Sequence, residues 1–223
     1  MAWLSDVPIA HRGLHGRDIV ENSLGAFAAA IRARYAIELD VHVSSDGEAI
    51  VFHDDELDRL TAAEGPLAAR SAQELTALKL DGSDETIPTL KQVFDLVANK
   101  VPILVELKRE QGQDDRLEKR VAELVDDYRG TIAIQCFDPA GIAWFAKARR
   151  DLPRGQLAVG RLPSPHDAEP DFIGYYVKNL RSATISAARA RGLPILAWTV
   201  RTKRDLQLAR AHADNVIFES IVP

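Results

Sequence analysis

The 223-residue sequence contains a single cysteine, Cys136, so it can form no disulfide within the chain, which is typical of a reducing compartment. No apolar run approaches the roughly 20 residues that are needed to cross a bilayer. The first residues also lack the basic segment and the long apolar stretch of a secretory signal peptide. We therefore expect a cytoplasmic protein without stable membrane insertion.

Positive charge is also in short supply. Lys and Arg total 28 against 33 for Asp and Glu, which gives a formal net charge of −5. This balance argues against a nucleic-acid partner, because no basic stripe is available to neutralise phosphates. A small phosphate-bearing ligand is compatible with it, since such a ligand needs only two or three well-placed cations. With 46% hydrophobic residues, the chain can bury a sizeable core, and we expect a single domain over residues 1–223.

Short apolar runs alternate with amphipathic segments along the chain. The predicted strands are Val7–Ala10, Ala36–Val43, Pro102–Leu107, Thr131–Gln135, Gln156–Val159, Phe172–Val177, Pro194–Thr199 and Asn215–Phe218. The predicted helices are Asn22–Arg34, Thr89–Ala98, Asp114–Tyr128, Pro139–Arg150, Thr184–Arg191 and Lys203–Ala211. Asn22 is a candidate helix cap. A further short extended piece, Ala49–His53, follows a hairpin turn at Asp46-Gly47.

Eight strands that mostly alternate with helices predict parallel strands with crossover helices, either doubly wound or closed as a barrel. The number eight favours the (β/α)8 or TIM barrel. Residues 160–171 contain three prolines and no helical period, so we expect a reduced crossover helix there. Residues 54–88 are long for a connection, and we expect a small insertion after the second strand, such as a lid.

Reactive side chains recur at the predicted strand ends, where the active site of a β/α barrel lies. Side chains alternate across a strand, so Glu38 and Asp40 project to the same side, and Glu106 arrives from the next strand. Two inward carboxylates would repel each other strongly, and a hard divalent cation resolves the conflict. Three carboxylates with waters suit Mg²⁺ or Ca²⁺, and the preference for oxygen ligands excludes neither ion. The alternative is that Arg12 and Lys108 simply neutralise these acids.

Two histidines flank the carboxylates in the predicted barrel. His11 follows the first strand and His53 ends the extended piece after the hairpin. Because histidine titrates near neutral pH, one ring can hold a proton while the other accepts one, which is the combination that phosphodiester cleavage needs. Arg12 and Lys108 would then bind the non-bridging phosphate oxygens. The residues therefore predict a metal-assisted phosphodiesterase with His11 and His53 as its acid–base pair.

The same residues resemble the glycerophosphodiester phosphodiesterase family, whose members are β/α barrels. The resemblance is carried by Ala10-His11-Arg12-Gly13, Glu21-Asn22-Ser23, Glu38-Leu39-Asp40-Val41, Asp46-Gly47, His53-Asp54, Glu106-Leu107-Lys108, Gln135-Cys136-Phe137 and Ala197-Trp198-Thr199-Val200. These blocks occur in the family's order over most of the chain. Their combination is specific, although any one block alone is weak.

The resemblance implies hydrolysis of a glycerophosphodiester to sn-glycerol 3-phosphate and an alcohol, aided by Mg²⁺ or Ca²⁺. It implies that His11 and His53 are the acid–base pair and that Glu38, Asp40 and Glu106 are the metal ligands. Arg12 and Lys108 would bind phosphate, Trp198 would lie beside the glycerol moiety, and Asn22 and Gln135 would support the site from behind. Which histidine is the acid, and whether water or the glycerol 2-hydroxyl is the nucleophile, are left open.

The sequence departs from the family pattern at two places near the end of the chain. Arg201 follows Trp-Thr-Val where the family tends to have Asn. The end of the chain reads Asn215-Val216-Ile217-Phe218-Glu219-Ser220-Ile221-Val222-Pro223, where the family usually has a Gly-Ile…Thr-Asp…Pro pattern. We expect these departures to affect substrate choice more than chemistry. Two alternatives are a lysophospholipid substrate and a barrel that binds phosphate metabolites without turnover. We assign no role to His42, His15, His166 or His212.

Overall fold

Parallel strand pairing runs around a complete circle in the computed structural model, which describes residues 2–109, 112–163 and 169–223. The strands are β1 (Ile9–Ala10), β2 (Ala36–Val43), β3 (Ala49–Val51), β4 (Ile103–Leu107), β5 (Ile132–Cys136), β6 (Arg154–Ala158), β7 (Phe172–Tyr176), β8 (Ile195–Val200) and β9 (Asn215–Phe218). Strand β1 pairs with both β2 and β9, which closes eight parallel strands into a barrel, and β3 adds antiparallel to β2. The predicted TIM barrel and hairpin are confirmed.

Helices connect most of these strands. They are α1 (Trp3–Asp6), α2 (Leu24–Ala33), α3 (Ala72–Thr76), α4 (Leu90–Val97), α5 (Arg116–Asp127), α6 (Pro139–Ala148), α7 (Ala183–Ala190) and α8 (Lys203–His212). Within the described ranges, no helix combines the length and the apolar character that crossing a membrane requires. Between β6 and β7, residues 159–163 and 169–171 form no helix, whereas residues 164–168 of the predicted reduced crossover lie outside the described residues.

The segment 54–88 has its own small apolar cluster. Leu57, Leu67 and Leu75 pack around Ile50 and Phe52, which belong to the hairpin after β2. Helix α3 begins with a capping box, in which the Ser71 side chain accepts from the Glu74 amide and the Glu74 side chain accepts from the Ser71 amide. The segment therefore packs on the barrel through the β2–β3 hairpin.

The predicted cap of α2 and the predicted start of β6 were both wrong. In each case a polar side chain has a partner that lies far from it in the sequence. Ser23, not Asn22, caps α2 by accepting from the Ala26 amide at 3.1 Å. The Asn22 side chain donates instead to the buried carboxylate of Asp40, and its backbone has a positive φ of 54°. Strand β6 begins at Arg154 rather than Gln156, because Arg154 pairs with Ile134 of β5 and its buried side chain lies 3.3 Å from Asp171.

Alternation along the strands separates two apolar regions. Side chains of one parity, such as Ile37 and Val105, pack against the helices. Side chains of the other parity form the barrel interior, where Ala36, Leu104 and Ala133 lie in one cluster. Glu38, Glu106 and Gln135 have this second parity, two residues further along each strand, because side chains alternate across a strand. The fold therefore raises these polar groups directly above an apolar interior layer.

The loop after β4 is secured by one arginine. Arg109 contacts Glu118 at 2.6 Å and Asp138 at 3.1 Å, and it also donates to the carbonyl oxygens of Gln113 and Asp114. The Glu118 side chain is fully buried. Removing one partner of a buried ion pair leaves an uncompensated charge, which costs about 3–5 kcal/mol.

We therefore expect Arg109→Ala to lower the free energy of unfolding by about 3 kcal/mol, measured by urea denaturation. Arg116→Ala is the matched control, because its pair with Asp114 is exposed on both sides and should contribute at most about 1 kcal/mol. Equal losses in the two variants would show that burial of Glu118 does not govern the effect.

Candidate active site

Three carboxylates converge from within β2 and from near the carboxyl end of β4. One oxygen from each of Glu38, Asp40 and Glu106 lies within 4.8 Å of the others. All three residues are buried, at 8% exposure or less. Burial and the charge of Asp40 raise the pKa of Glu38 well above its ordinary value and that of Glu106 to about 7. An all-oxygen cluster with this much repulsion has the chemistry of a site for a hard divalent cation.

Two cations lie against this cluster. Lys108 Nζ is 3.1 Å from Glu106 Oε1 and 3.6 Å from Asp40 Oδ1. Arg12 Nε is 3.4 Å from Asp40 Oδ2, and the Arg12 backbone amide donates to Glu38 Oε2 at 2.9 Å. Although burial acts in the opposite direction, these cations lower the pKa of Asp40. The pKa values of Glu38 and Glu106 remain raised beside these two cations, so neutralisation by Arg12 and Lys108 is incomplete.

The turn that presents Arg12 has little tolerance for other sequences. Arg12 has a φ of 54° and Gly13 a φ of 79°, both in the left-handed region. A Cβ atom added to Gly13 would also lie 2.8 Å from the backbone and side chain of Ala26. Glycine at 13 thus lets the chain turn sharply after β1 and aim the Arg12 amide at Glu38.

Each candidate histidine has its own carboxylate on Nδ1. His11 Nδ1 is 2.6 Å from Glu219 Oε2, and His53 Nδ1 is 2.5 Å from Asp54 Oδ1. Burial lowers the pKa of both histidines, and this effect outweighs the nearby negative charges. An ionised carboxylate only accepts, so the neutral rings carry hydrogen on Nδ1 and leave Nε2 as the basic nitrogen.

Each of these carboxylates also has its own arginine. Arg201 donates to Glu219 Oε1, and Arg59 Nε donates to Asp54 Oδ2 at 2.5 Å. Arg59 additionally donates to Glu21 Oε1 at 2.7 Å, and Glu21 in turn accepts from Arg12. A chain of ion pairs therefore connects the insertion to the first-strand turn.

Asn22 and Gln135 donate hydrogen bonds to two of the carboxylates. Asn22 Nδ2 donates to Asp40 Oδ2 at 2.9 Å, and Gln135 Nε2 donates to Glu38 Oε1 at 3.4 Å. The Oε1 atom of Gln135 is buried without a hydrogen-bond partner among the described residues. The Asn22 side chain thus donates to an acid of the cluster, whereas Gln135 Oε1 is left as an unpaired acceptor among the described residues.

The cluster opens into a cavity of about 170 Å³. Nine of the ten predicted site residues line it, and the tenth, Asn22, bonds to Asp40. Trp198 forms one wall with the edge of Phe137 at 5.4 Å and with Tyr176 at 5.6 Å between ring centroids. The cavity therefore combines a charged floor with an aromatic side.

Sequence reasoning missed five contributors to this site. Glu219 and Arg201 appeared only as departures from a pattern, and Arg59 lay unremarked in the insertion. His15 Nε2 lies 3.6 Å from Glu219 Oε2, and His42 Nε2 donates to the backbone carbonyl of His53 at 3.1 Å. The only available signal was charge near a strand end, because Glu219 directly follows β9. His166 lies outside the described residues.

The ion pairs of Asp54 predict how the stability of the protein changes at low pH. Although burial acts in the opposite direction, hydrogen bonds from Arg59 and His53 lower the pKa of Asp54 to about 2. Its unfolded pKa is about 3.9. A depressed folded-state pKa stabilises the protein above the unfolded value, and this stability is lost as pH falls through the folded value.

We therefore expect the stability advantage of the wild type over Asp54→Asn to be complete at pH 5 and reduced at pH 3. Urea unfolding at both values measures it. The neighbouring Asp55→Asn variant controls for general acid effects. An advantage that is the same at both pH values would contradict the proposed ionisation of Asp54.

Comparisons with known proteins identify a family to which the chain is similar. The sequence model described as the Glycerophosphoryl diester phosphodiesterase family matches residues 11–221. A glycerophosphodiester phosphodiesterase of Caldanaerobacter subterraneus is 28% identical, over 94% of this chain and 92% of its own. A lysophospholipase D of Homo sapiens is 32% identical, over 54% of this chain and 41% of its own.

A solved structure has the same fold. It is an Oleispira antarctica phosphodiesterase in complex with the product sn-glycerol-3-phosphate, and it superposes with a TM-score of 0.85 at 24% identity. The match covers 96% of this chain and 94% of that chain. The similarity supports the barrel architecture over nearly the whole chain.

Proposed function

The chain belongs to the glycerophosphoryl diester phosphodiesterase family, and on that premise we propose that it hydrolyses glycerophosphodiesters to sn-glycerol 3-phosphate and an alcohol with His11 and His53 as acid and base. The observation that carries the proposal is the shared cavity, in which two Nδ1-anchored histidines flank a buried carboxylate cluster and two cations. We further propose that the barrel acts as one catalytic domain with residues of about 54–88 as an insertion.

A divalent cation fits the three carboxylates. Glu38, Asp40 and Glu106 offer only oxygen ligands, and their crowding raises two of the three pKa values. These residues would hold Mg²⁺ or Ca²⁺, either of which prefers such ligands. The bound ion would supply charge stabilisation at the phosphoryl oxygens.

The protein's own side chains account for binding and proton transfer. Arg12 and Lys108 carry the positive charges nearest to the cavity floor and would bind the non-bridging oxygens of the diester. Trp198 and Phe137 would pack beside the glycerol carbons. One histidine Nε2 would accept the proton of the nucleophile, and the other would donate a proton to the leaving alkoxide. Trapping a cyclic phosphate would identify the glycerol 2-hydroxyl as nucleophile, and its absence from the time course would favour water.

The test is a product assay. The purified protein is incubated with glycerophosphocholine or glycerophosphoethanolamine, and sn-glycerol 3-phosphate is measured. Release from either substrate is the expected result. Saturable binding of these compounds without release would favour the phosphate-metabolite-binding alternative and overturn the hydrolase assignment.

A lysophospholipid substrate is the second candidate. It is favoured by the similarity to the human lysophospholipase D and by two exposed apolar residues at neighbouring strand ends. Phe137 follows β5 and is 44% exposed, and Val159 follows β6 and is 49% exposed. Phe137 lines the cavity, and an acyl chain that leaves the cavity past Phe137 would pack on these two side chains. Release of lysophosphatidic acid from lysophosphatidylcholine would support this candidate. A Val159→Ser variant should lose much of this activity and still release sn-glycerol 3-phosphate from glycerophosphocholine, because Val159 does not line the cavity.

A further inference from the structure

Glu219 lies between two other charged or polar residues that follow neighbouring strands of the barrel. Strands β8, β9 and β1 are adjacent, and the residues that directly follow them are Arg201, Glu219 and His11. The Glu219 amide donates to the Val200 carbonyl at 3.1 Å, and the His11 amide donates to the Phe218 carbonyl at 2.9 Å. The backbone therefore holds these three side chains side by side at the rim.

The two oxygens of Glu219 have different partners. Oε2 accepts from His11 Nδ1 at 2.6 Å and lies 3.6 Å from His15 Nε2. Oε1 accepts from Arg201 Nε. The Glu219 side chain is only 14% exposed, whereas that of Arg201 is 53% exposed. The carboxylate is thus clamped between a histidine inside the cavity and a cation at its edge.

We propose that Glu219 is a positioning residue for His11, and that Arg201 holds Glu219 in place from the outer side. This inference rests on the proposed function, because it assigns the proton-carrying atom of one proposed catalytic histidine. Glu219 keeps hydrogen on Nδ1 and turns Nε2 toward the cavity. Without it, the ring could rotate or adopt the other tautomer, and the basic nitrogen would face away from substrate.

The ionisation of Glu219 agrees with this role. Hydrogen bonds from His11 and Arg201 lower the pKa of Glu219 far below its ordinary value despite the opposing effect of burial. The carboxylate therefore stays an acceptor throughout the neutral range. The other charged groups that act on His11 are Arg12 and Asp40; neither of them accepts a hydrogen bond from its Nδ1.

Arg201 and Glu219 also hold each other. They lie 18 residues apart in the sequence, and the pairing of β8 with β9 brings them close enough to bond. Either residue alone would place a charge at the cavity rim without this partner, whereas the Arg201–Glu219 pair has no net charge. A similar pair, Asp54 with Arg59, contacts Nδ1 of the other histidine, His53.

The first experiment is Glu219→Gln. A glutamine has nearly the same shape but can donate as well as accept, so it no longer enforces the Nδ1–H tautomer. We expect kcat to fall by about 10- to 100-fold, while KM changes by no more than about twofold. Glu48→Gln is the matched control, because its partner Arg120 lies on α5 away from the cavity. A change in KM with an unchanged kcat, or no change in either constant, would overturn the proposal.

A double-mutant cycle distinguishes positioning of His11 from a general structural role. Single-turnover rates with enzyme in excess are compared for Glu219→Gln alone, in a His11→Ala background and in a His53→Ala background. We expect the loss to disappear in the His11→Ala background and to persist with His53→Ala. Equal losses in both backgrounds would mean that Glu219 does not act through His11.

An activity-independent measurement separates this inference from the proposed function. The ¹⁵N shifts of the His11 ring, assigned by comparison with His11→Ala, report which nitrogen carries hydrogen. We expect the Nδ1–H form in the wild type and a changed pattern in Glu219→Gln. Unchanged shifts would overturn the inference whatever the activity. A wild type that releases no sn-glycerol 3-phosphate would instead refute the proposed function alone.

Discussion

Replacing His11 with alanine is expected to lower kcat for glycerophosphodiester hydrolysis by about 10²- to 10⁴-fold, the usual contribution of one general acid or base. The KM should stay within a few-fold, because Arg12, Lys108 and the aromatic wall retain their positions. His11 lines the cavity with its Nδ1 occupied by Glu219, so its only free role is at Nε2. His53→Ala should show a loss of similar size.

The measurement is the initial rate of sn-glycerol 3-phosphate release. His212→Ala is the control, because His212 ends α8 on the outside of the barrel and pairs with Arg181. The double variant of His11 and His53 should lose less than the product of the two single losses, since the pair acts as a unit. An active His11→Ala enzyme would refute the assignment of the acid–base pair.

Removal of divalent cations is expected to produce the second large effect. Dialysis against EDTA should lower kcat by about 10³-fold or more, because several kcal/mol of charge stabilisation at the phosphoryl oxygens is lost. Adding back Mg²⁺ or Ca²⁺ should restore activity, and the more effective ion identifies the preference. Activity that is unchanged by EDTA would refute the assignment of Glu38, Asp40 and Glu106 as metal ligands.

The same cluster predicts a pH-dependent effect on stability in the metal-free protein. The Glu106 pKa rises from about 4.5 to about 7 in the fold, chiefly through burial and the charge of Asp40. A raised folded-state pKa means that stability is complete below pH 4.5 and is lost as pH rises through 7. Added Mg²⁺ or Ca²⁺ should therefore raise the Tm more at pH 8 than at pH 6.

Glu106→Gln is the matched variant for this experiment. It removes one charge from the cluster with little change of shape, so repulsion falls and metal affinity weakens. We expect the Tm of the metal-free variant to be nearly the same at pH 6 and pH 8, and we expect it to respond less to added metal. A wild-type Tm that is insensitive to both metal and pH would contradict the crowding of these carboxylates.

Most of the fold was readable from local patterns. Eight apolar runs with intervening amphipathic segments predicted the barrel, and the alternation in Glu38-Leu39-Asp40 predicted two inward carboxylates. These signals survive in sequence because strand and helix periodicities are properties of neighbouring residues. The cap of α2 and the start of β6 were wrong, because Asn22 and Arg154 bond to partners that no local pattern identifies.

The sequence by itself determined that reactive side chains follow successive strands, since alternation and strand order place them at one end of a closed barrel. It also determined their chemistry, three acids, two histidines and two cations. Only the tertiary structure decided the partnerships. Glu219 lies 208 residues from His11, and the closure of β9 onto β1 brings them together. Ion pairs between residues that are distant in the sequence produce no periodic pattern, because any acid can pair with any base. The packing of the barrel decides which acid lies beside which base.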